Sequence, residues 1–420
     1  MVMPQRAVLM IAFHYPPMRG SSGVQRTLKF SQYLPALNWQ PVVLTAHPRA
    51  YGNPGDDQLG EIPSSVLVCR AFALDAARHL SWRGRYPGWL ALPDRWVSWL
   101  IGALPAALML VRQHRPQVIW STYPIATAHL IGYALHRLTG LPWIADLRDP
   151  MTDEGYPEHP LTRRCYLWIE RLTVEHCTLA VCTTPGAVQA YRQRFPALPP
   201  TRFRLIENGY DEENFAEAAA TAAPPAKDSG RPLVLLHSGV IYPSERDPAP
   251  MLDALRALHE RDAISAATLR VVLRATGHDA SIKPLIAARG LQEIVVLAPH
   301  LPYRAALAEM LSADGLLILQ AANCNHQVPA KLYEYLRAGR PILALTDAAG
   351  DTATTLRAAG IDTIAPLDDR AGIEDGLLRF LPLLGNGNAP LADKAALAAH
   401  SRQARSVALA ALLNEVISAR

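Results

Sequence analysis

Residues 328–345 read VPAKLYEYLRAGRPILAL, a helix and the strand that follows it, with the punctuation between them. Pro329 suits a first helical turn, where its missing N–H would have had no partner. Leu332 and Leu336 share a core-facing stripe, and Gly339 supplies the left-handed cap before the apolar run 341–345. Lys331 and Glu334, three apart, lie on one face near the helix start. The cation and the positive dipole end favour a phosphate there, and the carboxylate can accept hydrogen bonds from ribose hydroxyls. Taken alone, the two residues are equally a surface Lys–Glu pair worth about 0.2–0.5 kcal/mol.

Working outward, short apolar runs alternate with helical-period segments along the whole chain, the pattern of βαβ units and parallel sheets. Strands are expected at 7–13, 42–45, 66–69, 117–121, 142–146, 179–183 and 203–206, then at 233–237, 269–274, 294–297, 315–320, 341–345 and 361–365. Helices fit between them, for example at 126–138, 162–177, 249–261, 302–311 and 329–338. Residues 216–231, AEAAATAAPPAKDSGR, are rich in Ala and Pro, lack an apolar stripe and read as a linker. The expected architecture is α/β, two Rossmann-like doubly wound domains at 1–215 and 232–390. The Ala/Leu-rich segment 391–420 is expected to form a terminal helix that packs back on the first domain.

A chain of 420 residues exceeds one hydrophobic core, and half of its residues are apolar, enough for two. A net charge of only +4 without basic stripes argues against a nucleic-acid partner. The five cysteines are scattered without a CxxC pair, which excludes a disulfide framework and a zinc site as expectations. The run VLMIAF at 8–13 breaks at His14, Tyr15 and two prolines with no small-residue cleavage site, so it reads as a strand, and the expected location is cytoplasmic. Val97 to Val111 is the most lipid-like stretch, but it falls short of the ~20 residues a spanning helix needs. Just before and within it, Trp82, Trp89, Trp96 and Trp99 interleave with Arg83, Arg85 and Arg95. That composition fits a membrane interface, or core and interdomain packing.

Three further stretches sit where strands end. HYPPMRGSSGVQRTLKF, 14–30, opens a helix with Val24, Leu28 and Phe30 on its apolar face. Gly20, Ser21, Ser22 and Gly23 make a turn whose free N–H groups suit a phosphate or sugar, or simply a tight βα connection. It is not GxGxxG, which weakens a dehydrogenase reading. In PWIADLRDPMTDEGYP, 142–157, a buried-type strand ends in Asp146, Arg148 and Asp149, placed for substrate or for an internal ion pair. In HSGVIYPSERDP, 237–248, Gly239 and Arg246 follow the first strand of the second half, and the forked guanidinium suits a diphosphate.

Together, in this order, the four stretches resemble the bacterial family 4 glycosyltransferases of the GT-B fold, particularly the branch that makes capsular and exopolysaccharides. YPP with a Gly/Ser turn and VQR, the DLRDP segment and PxKLxEYLxxGxP all recur there, over nearly the whole chain. The resemblance implies two domains facing each other across a cleft and a retaining transfer from a nucleotide-sugar, UDP- or GDP-linked, to a hydroxyl acceptor. It implies Arg246 and Lys331 on the donor diphosphate, Glu334 on the ribose, and the 20–23 turn beside donor and acceptor. It also implies no metal and no tightly bound cofactor. A lipid-linked saccharide acceptor and peripheral association with the inner membrane go with the Trp/Arg stretch. The segment ENGYDEENF matches the family's NG-x-D element and places Asn208, Gly209 and Asp211 at the interdomain connection.

One departure concerns the sugar. Many members carry two glutamates separated by seven residues, and the earlier position here is His326, within NCNHQVP. His326, Asn323 and Asn325 are the candidates for that contact, and no catalytic base stands out. Two other readings keep the fold: a sugar-nucleotide epimerase or phosphorylase, and a non-catalytic nucleotide-sugar binder.

Overall fold

The computed structural model describes residues 6–19, 22–153, 156–222 and 230–418. The turn residues Gly20 and Ser21 and the linker residues 223–229 lie outside them. The chain forms two compact units, Met1–Asn208 with Arg402–Arg420, and Gly209–Ser401.

Among the described residues, the first unit holds strands β1 (Arg6–Ile11), β2 (Trp39–Ala46), β3 (Leu67–Ala71), β4 (Val118–Thr122), β5 (Trp143–Arg148), β6 (Leu179–Cys182) and β7 (Phe203–Leu205). They lie in the order β3-β2-β1-β4-β5-β6-β7, every neighbouring pair parallel. Parallel strands covered on both faces need continuous apolar runs. In β1, Leu9 and Ile11 pack with Trp99, Ala103 and Ile131 on one face, while Val8 and Met10 pack with Leu28, Leu34 and Trp39 on the other. Leu409, Leu413 and Val416 of the helix Arg402–Ser418 complete that second face. Trp39 Nε1 and Arg6 Nη1 both donate to Asn414 Oδ1, fastening the helix to its sheet.

The second unit holds β8 (Leu233–Ser238), β9 (Leu269–Arg274), β10 (Val295–Ala298), β11 (Gly315–Leu319), β12 (Ile342–Leu345) and β13 (Ile364–Ala365) in the order β10-β9-β8-β11-β12-β13, again parallel. Leu235 of β8 packs with Leu252 and Leu255 on one face, and Leu236 with Leu332 and Leu336 on the other. The last two are 0% and 1% exposed, so each contributes about 1.5–3 kcal/mol of burial. In both sheets the strand order reverses beside the first strand, at β1/β4 and at β8/β11. Open α/β sheets bind ligands outside the carboxyl ends of strands at such points.

Two boundaries differ from expectation. The linker reading of 216–231 overlaps the helix Glu212–Ala219, which Asp211 caps by accepting from Asn214 N and which buries Phe215 and Ala218. The terminal segment 391–420 is not one helix. Lys394–Ala399 belongs to the second unit and Arg402–Ser418 to the first, with the break at Ser401, which bridges to Tyr210.

Candidate functional site

In the second unit, β8 ends in His237 and Ser238, with Gly239 following, at the reversal point. The helix Lys331–Ala338 aims its N-terminus at the same place, because the buried Tyr335 hydroxyl accepts a 2.7 Å hydrogen bond from Ser238 N. The helix begins at Lys331, two residues after Pro329, which closes the preceding turn by accepting from Leu332 N. Gly339 ends it at φ +64°.

Lys331 Nζ lies 3.0 Å from His237 Nε2. His237 Nδ1 is 2.9 Å from Leu317 O, which can only accept, so Nδ1 carries the proton and Nε2 accepts from the lysine. Burial, reinforced by the Lys331 charge, holds the His237 pKa well below its usual value. Burial also drives Lys331 well below the ordinary lysine range; the neighbouring Arg246 adds to this and Glu334 opposes it. Among the described residues no carboxylate forms an ion pair with Lys331.

Arg246 reaches the same centre from the loop after β8. It donates to Val240 O at 2.9 Å, lies 5.3 Å from the centre of the Tyr242 ring, and leaves its buried Nε without a partner. Among the described residues its only ion-pair neighbour, Glu245, is 4.0 Å away. Gly239 is required by its φ of +119°, which side chains with a Cβ rarely adopt, and a Cβ there would also press on Lys331 Nζ at 2.9 Å. Arg246 and, once protonated, Lys331 thus direct two positive charges to a strand end and a helix start with little opposing charge, an arrangement that stabilises a bound polyanion. Glu334 is half-buried and accepts from Tyr303 Oη at 2.8 Å.

His326 is exposed in the loop after β11. The two asparagines beside it brace loops: Asn323 donates to Ser244 O at 2.9 Å and Asn325 to Asp347 Oδ2 at 2.6 Å.

In the first unit, Asp146 is fully buried, and Arg26 grips it with two bonds of 3.0 and 2.7 Å. Thr122 Oγ1 adds a third at 2.7 Å, and Arg26 also donates to Ile206 O and Glu207 O. Fully buried, Asp146 braces Arg26, which is the internal ion pair that the sequence left open beside a substrate role.

Arg148 and Asp149 are placed differently. Arg148 stands at a bulge where β5 meets β6 and holds φ +63°, a strained value for a side chain with a Cβ. It donates to Tyr123 O at 3.3 Å, and burial lowers its pKa. Asp149 is half-buried and accepts from Thr183 Oγ1 at 2.9 Å. His14, at the end of β1, is held to a pKa of about 3 by burial and the Arg148 charge, and is therefore neutral at physiological pH. Gly23 is buried within the helix Ser22–Tyr33, at whose first position Ser22 stands.

Sequence reasoning missed His237, Tyr303, Arg26 and His14. His237 stood within a quoted stretch, but a single neutral histidine ending an apolar strand carries no spacing signal.

Residues 22–209 match the model of the glycosyl transferase 4-like domain. No curated protein matches the chain by sequence. Among solved structures, sucrose-phosphate synthase from Thermosynechococcus elongatus superposes with a TM-score of 0.70 at 15% identity, over 99% of this chain and 100% of that one. Anabaena Alr3699/HepE in complex with UDP gives 0.61 at 13% identity, covering 97% and 99% of the two chains. UDP-GlcNAc 2-epimerase from Neisseria meningitidis bound to UDP-GlcNAc gives 0.54 at 12% identity, covering 97% and 100%. The two-domain GT-B fold is common to these and to this chain.

Proposed function

We propose that this protein is a glycosyltransferase that moves a sugar from a nucleotide-sugar, UDP- or GDP-linked, to a hydroxyl acceptor. The observation that carries the reading is the convergence of Lys331 and Arg246 on the end of β8, where among the described residues Lys331 has no carboxylate ion pair and Arg246 reaches only Glu245, at 4.0 Å. The matched domain at 22–209 and the nucleotide complexes of fold relatives support it.

When the donor breaks, positive charge develops on the sugar ring and negative charge on the departing diphosphate. Lys331, Arg246 and the helix start neutralise that diphosphate, Gly239 leaves room for it, and Glu334 accepts from the ribose hydroxyls. His326 is the candidate contact to the sugar. Arg148 and Asp149 serve the acceptor, and the turn at 20–23 serves both donor and acceptor. The transfer is retaining and belongs to exopolysaccharide or glycolipid synthesis, with a lipid-linked saccharide as acceptor at the cytoplasmic face of the inner membrane.

The test is calorimetric binding of UDP-, GDP-, ADP- and dTDP-sugars to the full chain, Lys331→Ala and Glu334→Ala, followed by turnover with the donor that binds. The expected outcome is one preferred base, affinity weakened in both variants, and turnover of Lys331→Ala reduced by roughly 10²–10³. Undiminished turnover by Lys331→Ala would sink the reading. Interconversion of the donor sugar without any acceptor would instead assign an epimerase.

A further inference from the structure

The helix Trp99–His114 turns Trp99, Ala103, Ala107 and Leu110 into the first unit's core. Its opposite side is apolar too. Ile101 (74% exposed), Pro105 and Met109 recur at four-residue steps on the solvent side and lead to Arg112. A helix apolar all round is ordinarily covered on every side, and this one is not. Gly102 lies against Phe72, whose backbone and Cβ a Cβ there would strike, so the exposed Phe72 ring stands beside this helix, with Arg49 4.6 Å over it.

The preceding segment adds two tryptophans. Trp82 is 79% exposed and Trp89 71%, although Trp39, Trp99, Trp120 and Trp143 of the same unit are fully buried. Trp82 and Arg85 exchange both backbone hydrogen bonds across a two-residue turn, in which Arg83 and Gly84 hold φ +52° and +77°. This tight hairpin presents Trp82, Arg83 and Arg85 together at its tip. From Phe72 to Arg115 the arginines are 78, 83, 85, 95, 112 and 115, and the acidic residues are Asp75 and Asp94. Asp75 is buried and pairs with Arg95 at 2.9 Å, which removes that one arginine from the surface balance. Asp94 is buried and occupied by Trp96 N and by Thr127 N and Oγ1, so it cancels none of the surface charge. The other markedly exposed tryptophan, Trp168, instead shares its helix with a paired Arg171 and Glu175.

We infer that the surface carried by residues 72–112 docks on an anionic lipid bilayer. Protein interfaces exclude charge from their apolar centres, whereas headgroup regions take aromatic rings and arginines side by side. None of the helices among the described residues is long and apolar enough to cross a membrane, so the contact lies along the surface. The inference rests on exposure and charge and does not depend on the transfer reading.

The experiment is co-sedimentation of the full chain with phosphatidylcholine vesicles and with vesicles containing phosphatidylglycerol, at low and high salt, beside sedimentation velocity without lipid. The expected result is binding to the anionic vesicles that salt weakens. Arg83→Gln/Arg85→Gln should lower the partition coefficient roughly thirtyfold, taking about fivefold per charge near the surface. Trp82→Ser/Trp89→Ser should lower it further, and the melting temperature should be unchanged because all four side chains are exposed. Absence of binding to anionic vesicles, or equal binding by both variants, would overturn the proposal. So would a dimer without lipid that the tryptophan variant dissolves, because the occupant would then be a second copy.

Discussion

Lys331 Nζ donates to His237 Nε2 across 3.0 Å, so the amine that awaits an anion is held by a neutral ring. Burial keeps the Lys331 pKa well below its ordinary value, and an arriving diphosphate raises it again. Donor binding therefore takes up a proton, and affinity increases as pH falls through the interval between the depressed and restored values. The diphosphate of a nucleotide-sugar is a diester and does not titrate there. Calorimetry in buffers of different ionisation enthalpy should return a buffer-dependent heat, absent in Lys331→Arg, which stays charged. A heat identical in all buffers for the native chain would contradict this account of Lys331.

Gly239→Ala should separate the site from the fold. The added Cβ would meet Lys331 Nζ at 2.9 Å and would sit on a backbone with φ +119°. The expected result is a loss of about 1–3 kcal/mol of stability, the usual scale for such a strained position. Donor affinity should fall tenfold or more, as the amine is pushed from His237. Chemical denaturation and titration of the same preparation check both.

Asp146→Ala should damage the first unit rather than the chemistry. Removing one partner of a buried ion pair leaves Arg26 uncompensated and costs about 3–5 kcal/mol. Nucleotide affinity of the folded fraction should stay within about twofold of the native chain. A fully stable variant lacking only turnover would return Asp146 to a catalytic role.

Acid should destabilise the chain before its carboxylates protonate. Burial lowers His14 to about 3 and His129 to about 4 from 6.5, and places His237 well below 6.5. The unfolded chain then binds protons that the folded one does not, so stability is full above pH 6.5 and falls as pH drops below it. For His129 the loss continues to about pH 4 and for His14 to about pH 3. Each contributes a slope of about 1.4 kcal/mol per pH unit. Urea denaturation between pH 7 and pH 5 should show this slope, shallower in His129→Gln.

The strands were legible because parallel strands buried on both faces are apolar runs, as in the LVLLHS of β8. The run at 361–365 yields only Ile364–Ala365 as strand, because Ile361 turns into the core after the left-handed Gly360. Lys331, Arg246 and Gly239 were legible as charges and a glycine beside strand and helix ends. An internal ion pair was one of two readings of Asp146, but its partner Arg26 lies 120 positions away, beyond any spacing argument. His237 owes its role to Leu317 O on the neighbouring strand β11, a pairing that topology creates and local sequence does not announce.

The helix Arg402–Ser418 closes a face of the first sheet only after the whole second unit has been translated. While residues 209–401 emerge from the ribosome, Val8, Met10, Leu28 and Trp39 wait for Leu409 and Leu413. The second unit, contiguous in the chain, has all its own strands before that happens. Order of synthesis and order of completion are therefore opposite. The half of the molecule made first is the half finished last, and a chaperone holding the nascent chain would find its apolar target in the first unit until residues 402–418 emerge.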